Sequence, residues 1–142
     1  MATYVKYQDF VEQLCKAKHD FSSHTFKVGL ATGAPDPTHA VRGSGGIDTN
    51  ELTTANGYTA GGATTTIGIT ETTGTVTVTA TDPAAWTASG AGITFRYAFL
   101  YNDTATSPAD ALIAYWDNGS NTTVTAGNTL TVDFGASLFT LA

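Results

Sequence analysis

From about residue 63 to its end, this chain alternates Val, Ile, Leu and aromatic residues with Thr, and it carries almost no charge. Thr fills about one position in five, far above ordinary usage. A repeat of two sends successive side chains to opposite faces of a strand. β-branched residues suit that pleated, half-buried setting better than a helix. The pattern therefore predicts a mainly β chain whose strands bury one face and turn the other to water or to a neighbour.

Ile67 and Ile69 alternate with Gly and Thr, and Val76, Val78 and Ala80 alternate with Thr75, Thr77, Thr79 and Thr81. The intervening run 71–74 ends in Gly and predicts a hairpin turn. Asp82-Pro83 stops the second strand, because proline supplies no ladder donor. Ile93, Phe95, Tyr97, Phe99 and Tyr101 are predicted to line one face of a long strand. Ala98 and Leu100 make the far end of that strand apolar on both faces, which places it centrally in a sheet. Residues 112–116 are also apolar on both faces, and Asn118-Gly119 is expected to turn the chain. A short strand near 122–125, the alternating Leu130, Val132 and Phe134, and a last strand at 138–141 complete about eight strands. Such spacing predicts a single β-sandwich, jelly-roll or immunoglobulin-like, over a single domain spanning 1–142.

Ahead of this text lies a different pattern. Tyr7, Phe10, Val11, Leu14 and Cys15 recur at i, i+3, i+4, i+7 and i+8 and predict a short N-terminal α-helix over 4–18. Its apolar face is expected to cover the domain's own core, with Cys15 a small buried residue. Phe26, Val28 and Leu30 mark a first strand over 25–31. Residues 32–62 then lose all periodicity and are rich in Gly, Pro and Asn, predicting a long loop ahead of the strand-rich remainder, 63–142. A connection of that length is commonly functional or disordered, and a neighbouring subunit is one way to order it.

Charged residues make up 13% of the chain, with a formal net charge of −6. This balance argues against nucleic acid, which needs a basic stripe to neutralise phosphates, and against an anionic membrane surface. Low surface charge suits a protein that stays packed against copies of itself or a larger body, and it is equally the composition of secreted bacterial β-proteins. The single cysteine, Cys15, allows no intrachain disulfide and fits folding in a reducing cytosol. Met1-Ala2-Thr3-Tyr4 opens no signal peptide, and no apolar run reaches membrane-spanning length.

Catalytic signatures are sparse. His19, His24 and His39 form no zinc spacing and read as surface or loop residues. Asn102-Asp103 and Asp117-Asn118 follow two neighbouring strands and are expected to meet at one end, where solvated turns outweigh a calcium loop. There is no Gly-x-Ser-x-Gly elbow and no phosphate loop. Gly57-Tyr58-Thr59-Ala60-Gly61-Gly62 lacks the lysine and helix that phosphate binding needs. Trp86 and Trp116 fall in strand text and read as core, although with the tyrosines they offer a sugar-stacking platform. The expectation is no enzyme, no cofactor and no metal.

Several segments together carry a resemblance: Asp20-Phe21, Thr25-Phe26-Lys27-Val28-Gly29-Leu30, and Glu51-Leu52 running into 57–64. Arg96-Tyr97-Ala98-Phe99-Leu100-Tyr101-Asn102-Asp103-Thr104 and Leu112-Ile113-Ala114-Tyr115-Trp116-Asp117 extend it. The chain resembles small structural proteins of tailed bacteriophages over most of its length, with Asp117-Asn118-Gly119 departing from a more apolar strand end. The resemblance implies a virion structural protein, made in the host bacterial cytoplasm, with capsid decoration or cement the first role and a head or tail fibre component with a receptor- or glycan-binding role the alternative. It implies no catalytic residues. Expected partners are the major capsid protein or another virion protein, and copies of the chain as a dimer or trimer. The candidate partner contacts are Arg42, Ile47, Leu52 and Tyr58, on the long loop, together with the exposed threonine faces.

Overall fold

The structure, a computed structural model, describes residues 3–43 and 46–142; part of the Gly-rich run at 43–46 therefore lies outside the described residues. The chain is mainly β, with one short helix and antiparallel sheets. In chain order the elements are β1 (Thr3–Lys6), α1 (Gln8–Cys15), β2 (Phe26–Ala31), β3 (Ala63–Thr65), β4 (Ile67–Thr72), β5 (Thr75–Ala80), β6 (Trp86–Thr87), β7 (Ile93–Thr106), β8 (Ala109–Val124), β9 (Thr129–Leu130) and β10 (Phe139–Leu141). A five-stranded sheet runs β1-β8-β7-β2-β3, a three-stranded sheet β10-β5-β4, and β6 pairs with β9.

Residues of all three sheets meet in one core. Phe26, Val28 and Leu30 of β2 and Ala98 and Leu100 of β7 pack with Val78 of β5, Ile67 of β4, Trp86, Leu130 and Leu138. The alternation of β2 explains its share directly, since every second residue points the same way. The β4–β5 hairpin closes through Thr73 and Gly74, both at positive φ (50° and 86°), the backbone that a two-residue hairpin loop requires.

The long strand β7 departs from the expected single face. Its register with β8 slips between Phe95 and Tyr97, so that Arg96 sits opposite the extra residues 118–121. A slip of this kind sends the following side chains to the other face. Ile93 and Phe95 thus join the main core, whereas Tyr97, Phe99 and Tyr101 form a second apolar cluster with Tyr7, Ile47, Leu112 and Tyr115. The expected turn at Asn118-Gly119 is part of the same irregularity. Here β8 runs on to Val124 and absorbs the short strand expected near 122–125. β7 and β8 are central, with two apolar faces, as their sequence predicts.

The segment between β2 and β3 contains a single 3-10 turn, Ile47–Thr49, among the described residues. Ile47 is fully buried in the second cluster. The loop thus lies over the outer face of the five-stranded sheet. Phe99 rests directly over Gly29: a Cβ there would stand 2.2 Å from the ring's Cζ.

The N-terminus corrects the predicted helix over 4–18. Residues 3–6 pair with 114–117 of β8 as a strand, and Tyr4 packs its ring against Trp116 and Phe139. The helix begins after Tyr7, whose backbone N–H donates to the Ile113 carbonyl. Its inward face is centred on Phe10 and Gln13, so Val11 and Cys15, four residues apart, turn outward. Cys15 is exposed, not buried as expected. Phe10 reaches the main core with Phe21 and Phe139, so the helix covers the chain's own core.

Gly29→Ala is expected to force Phe99 aside and to cost about 1–3 kcal/mol, the usual range for overpacking. Equilibrium unfolding in urea measures this. An unchanged midpoint would mean that the Phe99 seat is not close-packed.

Candidate functional site

Glu51 organises the long loop. Its carboxylate is 3% exposed and lies where the loop returns along β2. Arg42 donates to Oε2 through Nε at 2.9 Å and Nη2 at 2.7 Å. The Tyr58 hydroxyl donates to Oε1 at 2.8 Å, and the Gly61 backbone N–H donates to the same oxygen at 2.6 Å. Tyr58 in turn accepts from the Leu30 N–H at 3.0 Å, and the Tyr101 hydroxyl donates to the Gly61 carbonyl at 2.7 Å. The Arg42 guanidinium stands over the Tyr101 ring, 5.4 Å from its centroid, and 4.0 Å from Asp110. Burial, and then the adjacent Glu51 carboxylate, hold the Tyr58 hydroxyl far above its ordinary pKa, so it stays a donor. A buried charge held this way is fully partnered. The Leu52 N–H to Leu30 C=O and Thr32 N–H to Asn50 C=O bonds fix the same crossing. The loop is thus ordered by the chain's own groups, where the sequence suggested a neighbour.

The four candidate partner contacts fall around this cluster but not on one surface. Arg42 and Leu52 are partly exposed, whereas Ile47 and Tyr58 are buried in the chain's own packing. Glu51, the residue that joins them, carried no sequence signal beyond its place before Leu52.

A second feature is a cavity of about 410 Å³ on the other side of the molecule. Tyr4, Phe95, Trp116 and Phe134 line it, with Arg96, Asn118 and Asp133 among its polar groups. Trp116 packs on Phe134 at 5.2 Å and edge-on to Tyr4 at 5.7 Å. Arg96 is held by a bidentate pair with Asp117 (2.8 and 2.9 Å) and lies over the Tyr97 ring. Trp86 sits apart, buried against Tyr58. Of the two tryptophans, Trp86 is core, as its strand text predicts, and Trp116 lines the cavity.

All three histidines lie in loops, as expected, but His19 is not at the surface. His19 is 5% exposed, between Phe10 and Phe21. Asn102, fully buried, directs its amide to Nδ1 of His24 at 2.8 Å, to Nδ1 of His19 at 3.3 Å and to the Lys18 carbonyl at 3.2 Å. Its Oδ1 accepts from the N–H groups of Thr104 and Ala105. The buried Nε2 of His19 has no protein partner. Burial, and then the neighbouring His24, lower the His19 pKa to about 4. Asn102-Asp103 and Asp117-Asn118 do not meet: Asn102 pairs with Ala111 and Asp117 with Tyr97, well apart along the ladder. Among the described residues no group of His, Cys, Asp and Glu is arranged to hold a metal ion. No helix among them is long and apolar enough to cross a membrane.

No protein family, curated protein or solved structure matches the chain.

Glu51→Ala removes the acceptor shared by Arg42, Tyr58 and Gly61, leaving the Arg42 cation with only Asp110 at 4.0 Å and the buried Tyr58 hydroxyl with no acceptor for its proton. The expected loss is about 3 kcal/mol, with new protease cleavage confined to 32–62; unfolding curves and limited proteolysis measure both. Stability should also depend on His19. Its folded pKa lies below the ordinary 6.5, so the unfolded chain binds more protons between those values. The contribution is full above about pH 6.5 and is lost as pH falls toward 4, by about 2–3 kcal/mol. Unfolding at pH 7.5 and 5 should show this decline, and His19→Phe should flatten it.

Proposed function

We propose that the chain is a structural protein of a bacteriophage virion, and specifically a capsid decoration protein that binds the outer shell in many copies and bridges neighbouring capsid subunits. The observation that carries this reading is the low share of charge, 13% of residues, with threonine prominent on the strand faces. Four of the six basic residues, Lys16, Lys27, Arg42 and Arg96, are already paired with carboxylates of the same chain. The strand faces outside are largely threonine, and the net charge of −6 rests on exposed carboxylates such as Asp20, Asp36, Glu71 and Asp133; low surface charge suits a protein that stays packed against neighbours. The resemblance of the segments around 25–30, 57–64, 96–104 and 112–117 to phage virion proteins supports the same assignment.

We read the five-stranded and three-stranded sheets as two layers of one sandwich, because residues of both meet in the same core. The mechanism is mass action: a protein that binds the assembled shell and not its parts stabilises the shell by its binding free energy. A specific contact needs about 1,000 Å² or more of buried surface, and copies are expected to close by symmetry as dimers or trimers. The exposed threonine faces and the partly exposed Arg42 and Leu52 are the contacts we assign to partners.

One observation favours a second reading, a fibre component that binds a host glycan. The cavity beside Trp116 combines aromatic walls with Arg96, Asn118 and Asp133, the mixture that sugar binding uses.

The two readings separate experimentally. Mixed with undecorated capsids, the protein is expected to co-sediment and to raise the temperature at which DNA is released. Failure of both would reject decoration. Binding to intact host cells that free sugar competes away, and that Asn118→Ala weakens at unchanged stability, would establish the glycan reading instead.

A further inference from the structure

We infer that the outer edge of β4 is a self-association site, pairing antiparallel with β4 of a second copy. β4 is the terminal strand of the three-stranded sheet, with β5 on one side. Thr72 and Thr75 flank the two-residue hairpin loop, and such flanking residues exchange both of their backbone bonds. From there the alternation is fixed. Thr72, Thr70 and Gly68 bond inward to β5, while Ile67, Ile69 and Glu71 direct their N–H and C=O groups away from it. Natural edges are normally blunted by charged side chains, proline or a bulge. β4 has no proline and no bulge, its register with β5 is unbroken, and Glu71 is its one charge.

The side chains point the same way. Ile69 sits directly opposite Val78, so the two share a face. Val78 is 1% exposed in the main core, whereas Ile69 is 53% exposed. The core-facing side of β4 thus overhangs the core, and Ile69 is left uncovered. β3, the terminal strand of the larger sheet, joins β4 through Thr66 alone, so both sheets end on the same flank.

A second copy of this strand fits that edge in one register. With Ile69 opposite Ile69 of the second copy, Ile67 faces Glu71 and Glu71 faces Ile67. Every outward N–H then meets an outward C=O, as an isologous two-fold contact requires. The two Ile69 side chains cover each other. The two Glu71 carboxylates fall at opposite ends of the pairing, so the one charge on the strand is not set against itself. A partner strand of different sequence would satisfy the backbone equally; self-pairing also sets Ile69 on Ile69 and keeps the two Glu71 carboxylates at opposite ends. Pairing of one six-residue strand is a small interface of the weak, concentration-dependent class, and it is independent of whether the particle reading holds.

The test uses the full chain. Sedimentation velocity across rising concentration is expected to show monomer passing to dimer. Ile69→Lys and Ile69→Pro should both abolish the dimer at unchanged unfolding midpoint, since neither removes a bond to β5. In a Cys15→Ser background, Ile69→Cys should form a disulfide-linked dimer under mild oxidation, because directly opposed, hydrogen-bonded residues lie about 5.5 Å apart. A protein that stays monomeric throughout, with no cross-link in the Ile69→Cys variant, would overturn the proposal. So would a dimer that survives both the Lys and the Pro substitution. Loss of capsid binding with the dimer intact would reject the decoration role alone.

Discussion

The buried Glu51 carboxylate is the interaction on which the remainder of the structure depends. A thirty-residue connection without regular strands has a large entropy to lose, and ordering it needs either a partner or dense internal bonding. Glu51 supplies the second. It gathers Arg42 from one arm of the loop and Tyr58 and Gly61 from the other, and Tyr58 ties the assembly to Leu30 of β2. With the loop fixed, Ile47 can seal the second apolar cluster over Phe99, Tyr101 and Leu112. Without it, the outer face of the five-stranded sheet would carry an aromatic patch in water. The charge is tolerated in that position because every partner is present at once.

This arrangement separates two kinds of surface. Several polar and charged groups are partnered within the chain: Arg42 on the buried Glu51 and Asn102 on His24 and His19, with Arg96 on Asp117 and Lys27 on Asp103 as partly exposed pairs. The outside keeps threonine faces, the open β4 edge and the cavity beside Trp116. A chain built this way has few charges along its strand faces and several means of contacting its copies. The decoration and self-pairing proposals both follow from that division, and they use different parts of it.

The sequence was most legible where periodicity alone decides the outcome. β2, the β4–β5 hairpin and the central position of β7 and β8 follow from alternation and from apolar residues on both faces. It was less legible where tertiary contacts override local preference. Tyr4 stands three residues before Tyr7 and extends the helical stripe, yet β8 offered an open edge and Tyr4 a place on Trp116, so residues 3–6 became a strand. The slip at Arg96 leaves no mark in an alternating sequence, because it is the extra residues 118–121 on the facing strand that create it. The candidate contacts were placed on the loop as partner-facing residues, and the burial of Ile47 and Tyr58 was not legible, since nothing in a polar, aperiodic segment announces that Glu51 turns inward. The buried His19 was hidden for the same reason: its setting is made by Phe10, Phe21 and Asn102, residues distant from one another in the chain.

The claim that the loop is a fixed part of the fold, held by the chain's own carboxylate, is tested most directly by amide hydrogen exchange on dilute protein under conditions where it is monomeric. The Leu52, Thr32 and Gly61 amides are expected to exchange slowly, alongside those of β2. Exchange of these three at the rate of an unstructured peptide, while β2 and β7 stay protected, would contradict the account and return the ordering of the loop to a neighbouring molecule.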